Sequence, residues 1–321
     1  MLRLALKMLF GDSAKYLMLV AGLAVATFLM AQQTAVFCGL MSWTKSTLKN
    51  VPAPIWVVED RVEQVNETNP LLDTDVARVR SVSSVAWASP IYSGIQRVRL
   101  ESGSFKVIQL IGIDANTLAG APAKMLGGDL MKLRLPHSVI IDDLGVQRLA
   151  QKRGDKVKLN DVFEINDQEA RVVGIADAVT SFTGGPYVWT TYERALQYVP
   201  AQRKMLQAVI CAPREGVSLD QAIADLSREL GELGVFNALI SDSRTLYAYC
   251  GKRLCHITRR APFGAATLVD EDWRVNFATE TTPNDVVSVV ATRPLTRDEN
   301  WTTVAPGSFL RLRGGEIRML K

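Results

Sequence analysis

Tyr16-Leu-Met-Leu-Val-Ala-Gly-Leu-Ala-Val-Ala-Thr-Phe-Leu-Met30 runs on through Ala31 to Leu40 and closes at Trp43, and no Asp, Glu, Lys, Arg or His falls between Lys15 and Lys45. A helix needs roughly 20 mostly apolar residues to cross a hydrocarbon core about 30 Å thick. This run meets that length, with Gln32, Gln33 and Thr34 as its polar breaks. No later stretch matches it. The pattern predicts one transmembrane helix over residues 16–43 and a large water-soluble part after it. Tyr16 and Trp43 lie near the two ends, where amphipathic rings favour the membrane interface. Gln32 and Gln33 carry two readings, a polar pair facing another helix or a pair tolerated at the outer end of a lone anchor.

Ahead of the run, residues 1–15 read as a cytoplasmic amphipathic segment. Met1 to Phe10 interleaves apolar positions with Arg3 and Lys7, which suits a short helix lying in the interface. Arg3, Lys7 and Lys15 against Asp12 place the N-terminus in the cytoplasm by the positive-inside rule, and everything after Lys45 outside it. A cleaved secretory signal is the rival, because Ala24-Val25-Ala26 resembles a small-x-small cleavage site. The apolar run continues well past Ala26, which a cleaved signal does not need, so an uncleaved anchor is the better reading. Cys38 raises a lipoprotein box, but Phe37 stands where a small residue is wanted.

The totals bound the rest. The 321 residues suit one or two soluble domains after the anchor, and 48% hydrophobic with 22% charged residues is ordinary for a folded chain. A net charge of +4 without a basic patch interleaved with aromatics does not describe a nucleic-acid surface. Four cysteines, unevenly placed, make no disulfide framework, and two histidines leave little for histidine catalysis or metal binding.

From Ile55 the texture changes to short apolar runs broken by turn residues. Ile55-Trp-Val-Val58 reads as a buried strand, and Val79 to Ile91 as β-rich. Residues 96–100 and 105–113 read as a hairpin, with Val98 and Leu100 on one side, Arg97 and Arg99 on the other, and Gly103 in the turn. Ser138 to Ile141 predicts a strand leading through Asp142-Asp143 into a helix around Gly145 to Gln151. Lys156 to Leu159, Val162 to Ile165, Ala170 to Ile175 and Leu206 to Ala212 are strand candidates, with a turn at Asn166-Asp167 and a loop over Ser181 to Pro186. Ser218 predicts a helix N-cap with Gln221 in capping-box position, Ile223, Leu226, Leu230 and Leu233 on one face, and Gly234 at the end. The fold class is α+β.

This order of features resembles the FtsX-like permease family of ABC transporters, and within it the MacB/DevC-like branch. The likeness is carried by Leu6 to Asp12, the first span, Gln32-Gln33, Ile55-Trp56-Val57-Val58, Val79-Arg80-Ser81-Val82 and Val85 to Pro90. Ile111-Gly112-Ile113-Asp114, Gly120-Ala-Pro122, Val139-Ile-Ile-Asp142 and Arg171-Val-Val-Gly-Ile175 continue it, to about residue 245. The resemblance implies a MacB-type periplasmic core domain over 44–245, an ABC ATPase subunit and a second permease subunit as partners, and a periplasmic adaptor as a further candidate. It also implies three more membrane helices after the domain. Residues 246–321 do not supply them: Val286 to Ala291 is the longest apolar run there. That stretch is expected to be an atypical, irregular polar tail, disordered or arising from a truncated or frameshifted gene.

No motif for chemistry stands out. The chain has no GxxxxGK[ST] loop and no GxSxG elbow. Cys250, Cys255 and His256 are three soft ligands where a structural zinc usually needs four at tighter spacing. Asp142-Asp143 reads as a solvated turn rather than a carboxylate pair, and Gly127-Gly128 and Gly184-Gly185-Pro186 as loop punctuation. Asn66-Glu-Thr68 and Asn300-Trp-Thr302 match the glycosylation pattern and carry no argument here. The expectation is therefore no catalytic, cofactor-binding or metal residues and no cofactor. The leading function is a non-catalytic permease subunit of an ABC-type exporter in the bacterial inner membrane, lipid-embedded and bound to no nucleic acid. The alternative is a single-span anchored binding or adaptor protein; an anchored enzyme is a third class.

Overall fold

The computed structural model describes residues 13–59, 61–62, 69–100, 102–150, 155–181, 183–199, 205–234, 236–242, 244–270, 274–279 and 281–320. The amphipathic start over Met1 to Phe10 and the Asn66 motif lie outside these residues. Helix α1 spans Ser13–Thr44, 32 residues and so about 48 Å at 1.5 Å per residue. It is long and apolar enough to cross a membrane by length and composition. Leu17, Met18, Phe28, Met30 and Phe37 all lie uncovered along it. The hydroxyls of Thr27 and Thr34 donate back to the carbonyls of Leu23 and Met30 at 2.8 and 2.9 Å. Their polarity is thereby satisfied within the helix, as a lipid environment demands.

The described chain divides into two compact units, Met1–Val76 with Ser89–Ile210, and Ala77–Ala88 with Cys211–Lys321. In the first, α1 is followed after Lys45 by the short helix α2, Ser46–Asn50, and then by β1, Ile55–Val57. Strand β3, Val85–Arg99, and β4, Phe105–Ile113, form the expected antiparallel hairpin. Gly103 turns it at φ +77°, and Val98 is fully buried while Arg97 and Arg99 are exposed, as the alternation requires. β4 pairs in parallel with β9, Tyr187–Thr191. β9 then pairs with β6, Ser138–Asp142, which runs parallel to β8, Gln168–Ala176. β7, Val162–Ile165, joins β8 through the Asn166-Asp167 turn, both residues at positive φ. β5, Met125–Gly128, closes the far edge, and β11, Ala208–Pro213, lies between β1 and β3.

Two expectations need correction. Val79 to Val82 is not strand: residues Thr74–Ser81 form helix α3, and the strand begins at Val85. Val76, Val79 and Val82 are all buried at a spacing of three, a helical period, and the Asp75 carboxylate accepts from Leu72 N at 3.0 Å just ahead of the helix. Lys156 to Leu159 is not strand either. Lys158 N donates to Asp161 Oδ2 at 2.8 Å and Asn160 sits at φ +73°, so local hydrogen bonds win over the apolar alternation.

In the second unit, α6 spans Leu219–Leu233. The Ser218 hydroxyl accepts from Gln221 N at 3.2 Å, but the Gln221 amide donates forward to Asp225 rather than back, so half of the capping box forms. Ile223 and Ala224 pack against Tyr247, Tyr249 and Phe309, whereas Leu233 is 59% exposed. Residues 246 onward are not an irregular tail. A four-stranded antiparallel sheet runs β12, Asn237–Ser241; β13, Leu246–Cys250; β19, Phe309–Arg313; and β20, Glu316–Leu320. A three-stranded sheet sets β14, Leu254–Arg260, between β17, Val286–Ala291, and β18, Thr302–Val304. Ala248, Cys250, Leu254, Val304, Leu310 and Leu312 form the core of these strands. The apolar run at Val286 to Ala291 is a strand paired with β14, its side chains half-buried apart from the exposed Val287.

Candidate functional site

The group of polar side chains that the fold gathers most tightly lies at the foot of α1. Ser46, Thr47, Asn50 and Val51 are buried, although they follow directly on an uncovered apolar helix. The Tyr187 hydroxyl, fully buried on β9, sits 2.9 Å from Ser46 Oγ and 3.1 Å from Thr47 Oγ1. Asn50 brackets one peptide of the loop after β8: its Nδ2 donates to Val179 O at 2.7 Å and its Oδ1 accepts from Val179 N at 2.9 Å. Two-way amide pairing of this kind satisfies both halves of the side chain.

Beneath it, Tyr187 N donates to Asp142 Oδ2 at 2.9 Å, and Gly145 N donates to Asp142 Oδ1 at 2.7 Å. Asp142 thereby N-caps the short helix α4, Asp143–Arg148. This corrects the solvated-turn reading: Asp142 has no exposed surface, and only Asp143 faces solvent. Burial pushes the Asp142 carboxyl up to about 6, against the pull of its backbone N–H partners, and the Asp143 charge adds to the rise. Tyr187 also stacks on Trp189 with ring centroids 5.5 Å apart, on the same face of β9. The arrangement can hold a helix in register on a sheet.

The other residues singled out by sequence are dispersed. Cys250 Sγ donates to Val304 O and Cys255 Sγ to Ala291 O, while His256, next to Cys255 on β14, points to the opposite face. Among the described residues no three His, Cys, Asp or Glu side chains are placed to hold a metal ion. Burial raises the thiols of Cys211, to about 12, and of Cys250 and Cys255, and lowers the His256 imidazole. Gly128 at φ +81° lies against the Val173 carbonyl, 2.2 Å from where a Cβ would sit, so the Gly127-Gly128 pair serves sheet packing. Gly184-Gly185 closes a loop in which the Ser181 hydroxyl donates to Gly185 O at 2.7 Å. Gln32 and Gln33 are exposed on α1 and meet no other helix among the described residues. The foot itself was not legible: Ser46, Thr47 and Asn50 are common polar residues, and their partners lie 129 to 141 positions away.

Two families match. The model of the MacB-like periplasmic core domain covers residues 17–229, and that of class-II glutamine amidotransferases covers residues 201–321. The putative glutamine amidotransferase YafJ of Escherichia coli is 48% identical over 106 residues, which are 33% of this chain and 42% of that protein. A putative glutamine amidotransferase of Haemophilus influenzae is 33% identical over 96 residues, 30% of this chain and 33% of that one. The chain thus spans less than half the length of these curated relatives. The periplasmic region of MacB from Actinobacillus actinomycetemcomitans superposes with a TM-score of 0.43 at 14% identity, over 56% of this chain and 82% of that one. With the first model matching well over half of its residues, the chain belongs to the family of the MacB-like periplasmic core domain.

Proposed function

We propose that this chain is a non-catalytic, permease-type component of an ABC exporter. Its membrane helix links a separate ATPase on the cytoplasmic side of a bacterial inner membrane to a periplasmic core domain. A second permease subunit and a periplasmic adaptor are the further partners this reading implies. The observation that carries it is the continuity from α1 into a foot held on the central strand of a MacB-family domain, through Ser46 and Thr47 on Tyr187. A free tether would need no such buried hydroxyl cluster. Co-purification from native membranes tests the reading: an ATP-binding partner should be captured through the N-terminal segment. A single-span adaptor would bring down no ATPase.

The amidotransferase likeness over residues 201–321 supports a second statement. We infer that residues 246–321 are a folded, in-frame module related to that family, acting structurally here. Amide hydrolysis needs an accessible nucleophile with a base in reach. The cysteines of the second unit are buried and their thiols raised, and its one histidine, His256, is lowered by burial. Ammonia release from glutamine should stay at background. Release abolished by a single cysteine or histidine substitution would restore the enzyme reading.

A further inference from the structure

We propose that the Tyr187 hydroxyl is the positioning group that passes movement of the membrane helix to the central sheet, whereas Asn50 only fastens the loop beside it. The proposal rests on the transporter reading above. A phenol has one proton to donate and two lone pairs to accept with. Placed 2.9 Å from Ser46 Oγ and 3.1 Å from Thr47 Oγ1, it can donate to one and accept from the other. All three side chains are buried, so water does not compete for them.

What lies on either side of that hydroxyl cluster makes it a coupling and not merely a contact. On the helix side, only Lys45 separates Ser46 from the end of α1, and Lys49 N donates to Lys45 O across that joint. On the sheet side, β9 lies between β4 and β6, and the Tyr187 peptide is itself held by Asp142 through Tyr187 N. A displacement of α1 therefore reaches three strands through one side chain. Asn50, in contrast, meets Val179, which lies in no strand.

The test uses the full chain in lipid nanodiscs with two spin labels. Cys38 is the one exposed cysteine among the described residues and takes the first label; Gln168→Cys, exposed on β8, takes the second. In the parent the distance distribution between them should be narrow. Tyr187→Phe should roughly double its width while the sheet's thermal transition barely moves, since about one neutral hydrogen-bond pair is lost. Ser46→Ala with Thr47→Ala, which removes the partners without touching the sheet, should do the same, and combining all three should add nothing. Asn50→Ala should leave the width near the parent's. An unchanged width in both Tyr187→Phe and the Ser46/Thr47 pair overturns the proposal, as does broadening that appears only with early melting of the sheet. If the widths respond as stated but no ATP-binding partner is captured from membranes, the coupling stands and the transporter reading falls.

Discussion

The first unit buries a carboxylate and the second half-buries one, and the two are stabilised in opposite ways. Asp142 in the first is wholly enclosed and held by two backbone N–H groups. Glu299 in the second is held by Arg259, whose Nε and Nη2 reach its two oxygens at 2.6 and 2.5 Å, with Thr296 Oγ1 donating as well. Desolvation dominates at Asp142 and raises it to about 6, whereas the Arg259 hydrogen bond dominates at Glu299 and lowers it. Burial thus favours the proton at Asp142 in spite of its two N–H partners, whereas the guanidinium favours the charge at Glu299. The first unit thus uses its polar core to hold a helix in place. The second ties together elements far apart in sequence through carboxylates, as Asp220 on its helix does by accepting from the Tyr247 hydroxyl and pairing with Arg311.

Substitutions should separate these two designs. Asp142→Ala orphans the buried N–H groups of Tyr187 and Gly145 and should cost the first unit about 2–4 kcal/mol in denaturant unfolding. Arg259→Ala leaves Glu299 a half-compensated anion and removes the guanidinium lying 4.3 Å over the Phe277 ring. It should cost the second unit about 2–3 kcal/mol. Equal effects on both units from either change would break the comparison.

The pH response sharpens it further. Asp142 is raised above its unfolded value of 3.8, so folding binds a proton there. Its contribution favours the folded state at low pH and is lost as pH rises from about 4 to about 6, an amount of roughly 3 kcal/mol from the shift alone. Glu299 is lowered from 4.5, so its contribution is present above that value and is lost as pH falls. Between pH 6 and pH 4 the thermal transition of the first unit should rise relative to the second. Asp142→Asn should flatten that response in the first unit alone. A smaller effect is expected of Tyr187→Phe, about 1 kcal/mol or less of global stability, with its consequence confined to the foot.

Much of the first unit was legible because its signals are local. The span between Lys15 and Lys45, the Gly103 hairpin and the strand before Asp142 each depend on neighbours within a turn or two, as does the Ser218 cap in the second unit. The misread segments are those where tertiary contacts decide. Val79 looks β-prone, yet it and Val76, three residues apart, make the buried face of the helix Thr74–Ser81. The sheets of the second unit contain no long apolar run. Its strands are short, and Leu246-Tyr-Ala-Tyr-Cys250 pairs with partners up to 66 positions later, as in Leu246 against Leu312. The foot of α1 was hidden for a related reason, since nothing near Ser46 announces Tyr187.

Amide hydrogen exchange on the full chain in nanodiscs tests the central claim most directly. The amides of Lys49 and Val51, which donate to Lys45 O and Thr47 O, report on the foot, and those of Val188 and Trp189 report on the central strand. If the membrane helix is fastened to the sheet, the foot should exchange on the slow timescale of β9, and Tyr187→Phe should speed it roughly tenfold while β9 stays protected. A foot that exchanges as fast as an open loop in the parent chain would contradict the account, for α1 would then be only a tether.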